Sequence, residues 1–264
     1  MAAFFNLLQC SIKRSLISLR FFGGSLGLAV LYIVNMYPEI SLYRGVPQPF
    51  LYFYVLTNFF PLWILYLLFA AIPASTIFCE DYEGRFIRFA AGRSSKRIYG
   101  ASTAAACFLS SALVVVVGEL IYIAALFVMG AEGSVPGTSN QLEGTAFGSL
   151  PIGTQNIIFP AACILAKAFS AGAFSVMALW VSTKITNIFA TLAAPIILYY
   201  LIENVFILVK MPSSVSPQAV ISMHISMGDN VALTILYPIA LFLLLAVFFG
   251  FLFMNNVKRR IENG

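Results

Sequence analysis

Six long apolar runs dominate the sequence and limit what the chain can fold into. They lie at about 21–37, 51–78, 99–129, 157–182, 188–209 and 231–255. A helix that crosses the roughly 30 Å hydrocarbon core of a bilayer needs about 17 to 25 mostly apolar residues, and each run reaches or exceeds that length. We therefore expect an all-α, polytopic membrane protein with six transmembrane helices.

The composition agrees with a bilayer environment and excludes a soluble catalytic domain. Hydrophobic residues make up 61% of the chain, charged residues make up 9%, and the mean hydropathy is +0.93. A soluble globular domain carries about 25% charged residues, so too few polar side chains remain here to cover a water-exposed surface.

The basic residues predict the orientation of the chain. If the N-terminus is cytoplasmic, the inner segments hold twelve of the fifteen Lys and Arg residues, namely Lys13, Arg14, Arg20, Arg85, Arg88, Arg93, Lys96, Arg97, Lys184, Lys258, Arg259 and Arg260. The outer segments hold only Arg44 and Lys210. Cytoplasmic loops carry an excess of Lys and Arg, so we expect both termini in the cytoplasm. The net charge of +5 follows from this topology and does not predict binding of nucleic acid.

The two ends of the chain lie outside the six-span domain, which we place at 21–257. Residues 1–20 have apolar side chains at helical spacing with cations among them, which predicts an interfacial amphipathic helix. An inward extension of the first span is the alternative. Residues 258–264 are expected to form a cytoplasmic tail. Within the first span, Gly23-x-x-x-Gly27 permits close approach of a neighbouring helix.

A short outer helix is expected between the fifth and sixth runs. Ser216 and Pro217 are suitable for an N-cap and a first helical residue. Val220, Met223 and Met227 then share one helical face. We interpret Pro217 and these three residues as an outer gate helix that lies at or dips into the outer leaflet.

The densest group of charges lies between the second and third runs. Three acids, Glu80, Asp81 and Glu83, are followed by the five bases Arg85, Arg88, Arg93, Lys96 and Arg97. Apolar Phe86, Ile87 and Phe89 alternate with these cations. The pattern predicts a short amphipathic cytoplasmic helix that docks on a protein partner. A solvated loop whose arginines only enforce the topology is the alternative.

This connection resembles one in a known family. The run E-D-Y-E-G ends the second span, R-F-I-R follows, and G-R-S-S-K-R-I-Y begins the third. The pattern is similar to that of the type-2 permeases of ATP-binding-cassette (ABC) exporters. A lysine common in that family a few residues into the third span is absent here, where Ser102-Thr103-Ala104 stands.

The resemblance implies a mechanism shared with other subunits. Residues 80–97 would carry a coupling helix that sits in a groove of a separate ATPase, which would bind ATP and Mg. A second permease, the same chain or a similar one, would complete the assembly in a bacterial inner or plasma membrane. Alternating access would then export a hydrophobic or amphipathic cargo, such as a peptide, a lipid or a drug.

The chain itself is not expected to be an enzyme. It contains no Gly-x-x-x-x-Gly-Lys-Ser/Thr motif for nucleotide binding. His224 is its single histidine, and its four cysteines lack the close spacing of a zinc site, so no cofactor or metal is expected in this chain.

Two charged residues fall inside apolar runs, where charge is costly and marks a functional candidate. Glu119 and Lys167 each lie about ten residues, or about 15 Å, from the outer end of their helices. Adjacent antiparallel helices would bring them together as an ion pair. We interpret the pair as structural, with a role in a polar translocation path as the alternative. An ion-coupled secondary transporter that uses Glu119 is the alternative function.

Overall fold

The computed structural model describes residues 2–43, 48–60, 62–84, 95–133, 142–212, 216–225 and 230–263. Within these ranges the structure is helical, without a β-strand. The helices are α1 (Ala2–Leu16), α2 (Leu19–Leu42), α3 (Phe50–Thr57), α4 (Tyr66–Ala71), α5 (Ile77–Glu83), α6 (Lys96–Val128), α7 (Ile152–Ser182), α8 (Ile188–Leu208), α9 (Pro217–Ile221) and α10 (Val231–Asn263). Two 3-10 turns lie at Trp63–Leu65 and Ala146–Ser149.

Five of the described helices are long and apolar enough to cross a membrane, so the chain has the character of a multi-pass membrane protein. They are α2, α6, α7, α8 and α10, which match the first, third, fourth, fifth and sixth predicted runs. α6 has 33 residues and a length of about 50 Å, more than the hydrocarbon core requires. α10 continues as a helix to Asn263, so most of the expected tail at 258–264 belongs to this helix.

The second apolar run is not the single helix that its hydropathy predicts. It is divided among α3, a 3-10 turn, α4 and α5, with further turns before Trp63 and between α4 and α5. The sequence has prolines at 61 and 73, and a proline lacks the N–H group and disfavours the α conformation in the residue before it. Tyr54, Tyr66 and Phe78 of this run are completely buried. Interrupted helix at membrane depth is tolerated where the surrounding protein encloses it.

One end of the bundle gathers most of the described cations, and we name it the basic end. Arg20, at the start of α2, pairs with Glu80 of α5, and Arg260 of α10 donates a 3.1 Å hydrogen bond to the carbonyl of Lys184, just after α7. The Arg260 guanidinium also lies 5.3 Å from the centroid of the Tyr82 ring in α5. The end of α10 therefore contacts both α5 and the residue that follows α7.

At the opposite end of the bundle, the start of α3 lies beside the end of α6. The amide of Phe50, at the start of α3, donates to the carbonyl of Glu132, just after α6, at 2.6 Å. The second run therefore begins beside the end of α6 and finishes at the basic end beside the start of α2.

Glycines let α2 approach its neighbours closely. A Cβ atom on Gly24 would lie 2.8 Å from the carbonyl oxygen of Phe69 in α4, and one on Gly118 of α6 would lie 2.9 Å from the carbonyl oxygen of Ser25. Of the predicted Gly23-x-x-x-Gly27 pair, only Gly27 makes a close contact, with the Phe69 ring, because Gly23 is exposed with nothing within 4 Å of its Cβ position.

Candidate functional site

The two intramembrane charges lie together in the interior of the bundle. Lys167 Nζ of α7 is 2.6 Å from Glu119 Oε1 of α6, and the two side chains are 1% and 0% exposed. The Tyr54 hydroxyl of α3 donates to the other carboxylate oxygen, Glu119 Oε2, at 3.1 Å. Both oxygens of the buried carboxylate therefore have a hydrogen-bond donor, as a buried charge requires.

Tyrosines surround this ion pair. The Lys167 ammonium lies 5.0 Å from the ring centroid of Tyr32 in α2 and 5.4 Å from that of Tyr54, within the range of cation–π attraction. Tyr122 packs against both rings, and its hydroxyl shares a 2.5 Å hydrogen bond with Thr57. We call Tyr32, Tyr54, Glu119, Tyr122 and Lys167 the buried polar cluster. It connects α2, α3, α6 and α7, so it fixes the interrupted second run against its neighbours.

The sequence identified the charges of this cluster but not its tyrosines. Tyrosines at 32, 54 and 122 lie in apolar runs where Phe would satisfy the hydropathy pattern equally well. In the structure the Tyr54 and Tyr122 hydroxyls have hydrogen-bond partners, as buried tyrosine hydroxyls normally do, whereas the Tyr32 hydroxyl has none among the described residues. No spacing rule states which tyrosine reaches which charge.

A second group of charges lies at the basic end. Arg14 of α1 donates to Asp81 Oδ1 at 2.6 Å and to Glu80 Oε2 at 3.3 Å, and Arg20 of α2 pairs with Glu80. The Tyr99 hydroxyl, in the first turn of α6, donates to Asp81 Oδ2 at 2.8 Å. We call Arg14, Arg20, Glu80, Asp81 and Tyr99 the tether, because it joins α1 and α2 to the end of α5 and the start of α6.

The tether changes the interpretation of the predicted docking acids. Asp81 is 4% exposed and both of its oxygens are bonded within the chain, which favours a role in positioning the two ends of the connection. Its contact with a partner stays a prediction. Glu83 and Arg97 are exposed beside the tether, and Lys96 is the first residue of α6. The other predicted docking residues, Arg85, Arg88 and Arg93, lie outside the described residues.

The contacts of the tether shift the pKa of Glu80. Burial opposes ionisation of its carboxyl group, but hydrogen bonds from Arg20 and Thr76 and the charges of Arg20 and Arg14 outweigh that effect. The pKa of Glu80 is therefore lowered from its ordinary value of 4.5. A lowered folded-state pKa means that the ionised form stabilises the fold.

We expect Glu80→Gln to be less stable than the wild type at neutral pH, with a difference that shrinks in acid. The contribution of Glu80 is fully present above its ordinary pKa of 4.5 and is lost as the pH falls through the lowered value. Thermal melts of the purified proteins from neutral pH to about pH 3.5 measure this difference. Glu83→Gln changes an exposed carboxylate of the same helix and should match the wild type throughout. A Glu80→Gln deficit that stays constant with pH would contradict the role of the carboxylate charge.

The outer segment, residues 216–225, packs into the opposite end of the bundle. The Glu203 carboxylate of α8 accepts hydrogen bonds from the Ser216 hydroxyl at 2.8 Å and from the backbone N–H of Gln218 at 3.2 Å. These bonds anchor the start of α9. The predicted gate residues Pro217, Val220 and Met223 are buried.

The expected helical face of the outer segment is only partly correct. Helix α9 ends at Ile221, and Met223 lies beyond it with a φ of 57°, a left-handed conformation that is rare for such a side chain. Val220 and Met223 therefore do not share a helical face, and Met227 lies outside the described residues. The centroid of the His224 ring lies 4.7 Å from that of the Phe59 ring, so the outer segment contacts the second run where that run is interrupted.

Comparison of the chain with protein-family models, curated proteins and solved structures gives no match. Among the described residues, no group of three or more His, Cys, Asp and Glu side chains is placed to hold a metal ion. The functional candidates are thus the tether at the basic end, the buried polar cluster and the outer segment above it.

Proposed function

We propose that the chain is the transmembrane permease subunit of an ATP-driven exporter similar to the type-2 ABC permeases. The observation that carries this proposal is the tether. It binds both ends of the connection between the second and third spans to α1 and α2, through Arg14, Arg20, Asp81 and Tyr99. A force applied to that connection by a partner would therefore reach four helices at once.

The proposal includes six membrane crossings. The second crossing is the interrupted run at about 51–78, which is supported by its start beside Glu132 and by the pairing of Glu80 with Arg20 at the basic end. The basic end faces the cytoplasm of a bacterial inner or plasma membrane, since Lys and Arg concentrate on that side. Both termini are then cytoplasmic. Helix α1, which packs along α6 and is separated from α2 at Ile17–Ser18, serves as the interfacial helix.

The mechanism requires a separate ATPase that binds ATP and Mg and docks on the connection at residues 80–97. Closure of two ATPases would move the ends of α5 and α6, and the tether would carry this motion to α1 and α2. A second permease, either a copy of this chain or a similar one, completes the pathway. Alternating access then moves a hydrophobic or amphipathic cargo past the outer segment and out of the cell.

The alternative of an ion-coupled secondary transporter centred on Glu119 has weaker support. A carboxylate that carries protons must exchange them with water during the cycle. Glu119 is completely buried, and its oxygens accept hydrogen bonds from Lys167 and Tyr54. This geometry suits a fixed structural charge better than a proton carrier.

Purification of the tagged chain from its native membrane in a gentle detergent tests the proposal. We expect mass spectrometry to identify an ABC ATPase in the wild-type eluate. Changing Arg85, Arg88, Arg93 and Arg97 to Glu should abolish this co-purification, because repulsion would replace attraction at the docking surface. Lys258→Glu with Arg259→Glu is the control, since it reverses charges at the same end of the bundle outside the connection. A well-folded wild-type protein that retains no ATPase would overturn the exporter function.

A further inference from the structure

Asn58 occupies the point where the second run is interrupted. It caps the C-terminus of α3, with φ −77° and ψ −9°, and the chain then turns away from the helix. It follows Tyr54 by four residues, so the two side chains lie on the same helical face. Tyr54 is the residue that donates to Glu119. Asn58 therefore lies one helical turn from the buried polar cluster, in the interior of the bundle.

The amide group of Asn58 is buried without hydrogen bonds. Its side chain is 1% exposed, and neither Nδ2 nor Oδ1 has a partner among the described residues. The Tyr32 hydroxyl, the Asn35 Nδ2 and the hydroxyls of Ser111 and Ser175 are also unpaired among the described residues, but Asn58 leaves both a donor and an acceptor unsatisfied within one planar group. Leaving such groups unpaired in an apolar interior costs free energy, and a leucine of similar shape would avoid that cost.

A buried amide without a protein partner calls for a partner from outside the chain, either an ordered water or a ligand that enters in another state of the protein. The interruption at Asn58 lies beneath the outer segment, because the neighbouring Phe59 ring packs against His224. The Phe159 ring of α7 also packs edge-on with the His224 ring, at a centroid distance of 6.4 Å. Outward displacement of the segment would separate the His224 ring from Phe59, the residue next to Asn58, and so uncover this part of the second run.

We propose that Asn58 is the polar anchor of a cargo-binding site at this interruption, and that it binds an amide group of the cargo. An amide presents a donor beside an acceptor and can pair with both halves of the asparagine side chain. Phe59 follows Asn58 directly and Trp63 begins the next turn of the run, so aromatic residues follow the asparagine in the chain. The site thus rests on the permease function proposed above and assigns its cargo to peptides or other amphipathic amides rather than to lipids or drugs without an amide.

Thermal melts of the purified chain with two chain-matched probes test this site without any ATPase. Decanamide carries a donor and an acceptor, whereas methyl decanoate carries acceptors only. We expect decanamide at ten times its Kd to raise the Tm of the wild type by about 3–6 °C, and methyl decanoate to have a much smaller effect. Equal shifts with the two probes would overturn the proposal, since they would indicate apolar binding alone.

Asn58→Leu makes the test specific. We expect this variant to have a higher Tm than the wild type, because it removes the unpaired amide, and to lose the response to decanamide. Ser175→Ala is the control, because it also removes an unpaired buried polar group but lies on α7; it should keep the full response. Retention of the response in Asn58→Leu, or its loss in Ser175→Ala, would overturn the proposal. A failure of the ATPase to co-purify leaves this measurement intact, so the two proposals fail separately.

Discussion

Replacing Glu119 with Gln is expected to lower the Tm of the purified protein by at least about 6 °C and to reduce the yield of folded protein. Lys167 would then be a completely buried charge without its counter-ion, beside a neutral amide and the rings of Tyr32 and Tyr54. Removing one partner of a buried ion pair costs about 3–5 kcal/mol. That is a large part of the roughly 5–15 kcal/mol by which folded proteins are stable.

The combination of Glu119→Gln with Lys167→Met should recover most of this loss. The double variant buries no net charge, and replacing a buried pair by neutral groups of similar volume is often close to neutral in stability. Thermal melts of the two single variants and the double variant complete a mutant cycle. Glu143→Gln, an exposed carboxylate near the opposite end, is the control and should melt like the wild type. A double variant no more stable than the worse single variant would contradict the pairing.

The same double variant separates the two interpretations of the ion pair. If the pair only fixes helix register, the recovered fold should export cargo as well as the wild type does. If the pair lies on a polar translocation path, the double variant should fold but transport poorly. The cycle therefore compares folding and transport in the same set of proteins.

The long helices could be predicted from the sequence because each apolar run is bounded by charged or polar residues. Helix α8 begins at the predicted residue 188 and ends within one residue of the predicted 209. The division of the second run could not be predicted in the same way. Prolines occur in that run, but Pro195 and Pro238 lie inside the unbroken helices α8 and α10. A proline therefore does not decide by itself whether a buried helix continues, because neighbouring helices determine what satisfies the freed carbonyl groups.

The candidate sites also contain some residues that the sequence predicts and others that it does not. Glu119 and Lys167 stood out because an intramembrane charge is costly wherever it lies, a rule that needs no knowledge of the fold. The sequence places Asp81 with the docking acids because its neighbours Glu80 and Glu83 are also acidic. Whether such a carboxylate faces solvent or Arg14 depends on the packing of α1 beside α6, which links residues 67 positions apart in sequence. Local sequence patterns do not contain that information.

Gly24→Leu is expected to destabilise the bundle by about 3 kcal/mol or more, at the upper end of the range for overpacking. A Cβ atom at this position would lie 2.8 Å from the carbonyl oxygen of Phe69, and backbone atoms cannot turn away as a flexible side chain can. Helix α4 would have to move off α2. Because α4 belongs to the interrupted run, this displacement would also strain the hydrogen bond between Tyr66 and Ser170 of α7.

Gly23→Leu is the matched control, since it makes the same substitution one residue earlier in the same helix. Gly23 has nothing within 4 Å of its Cβ position, and leucine has the better helix propensity, so this variant should melt at or slightly above the wild-type temperature. Thermal melts in detergent compare the two directly. Equal destabilisation by both variants would show that glycine is needed for helix flexibility rather than for close packing. A loss confined to Gly24→Leu would instead establish that the interrupted run is held against α2 by backbone contact.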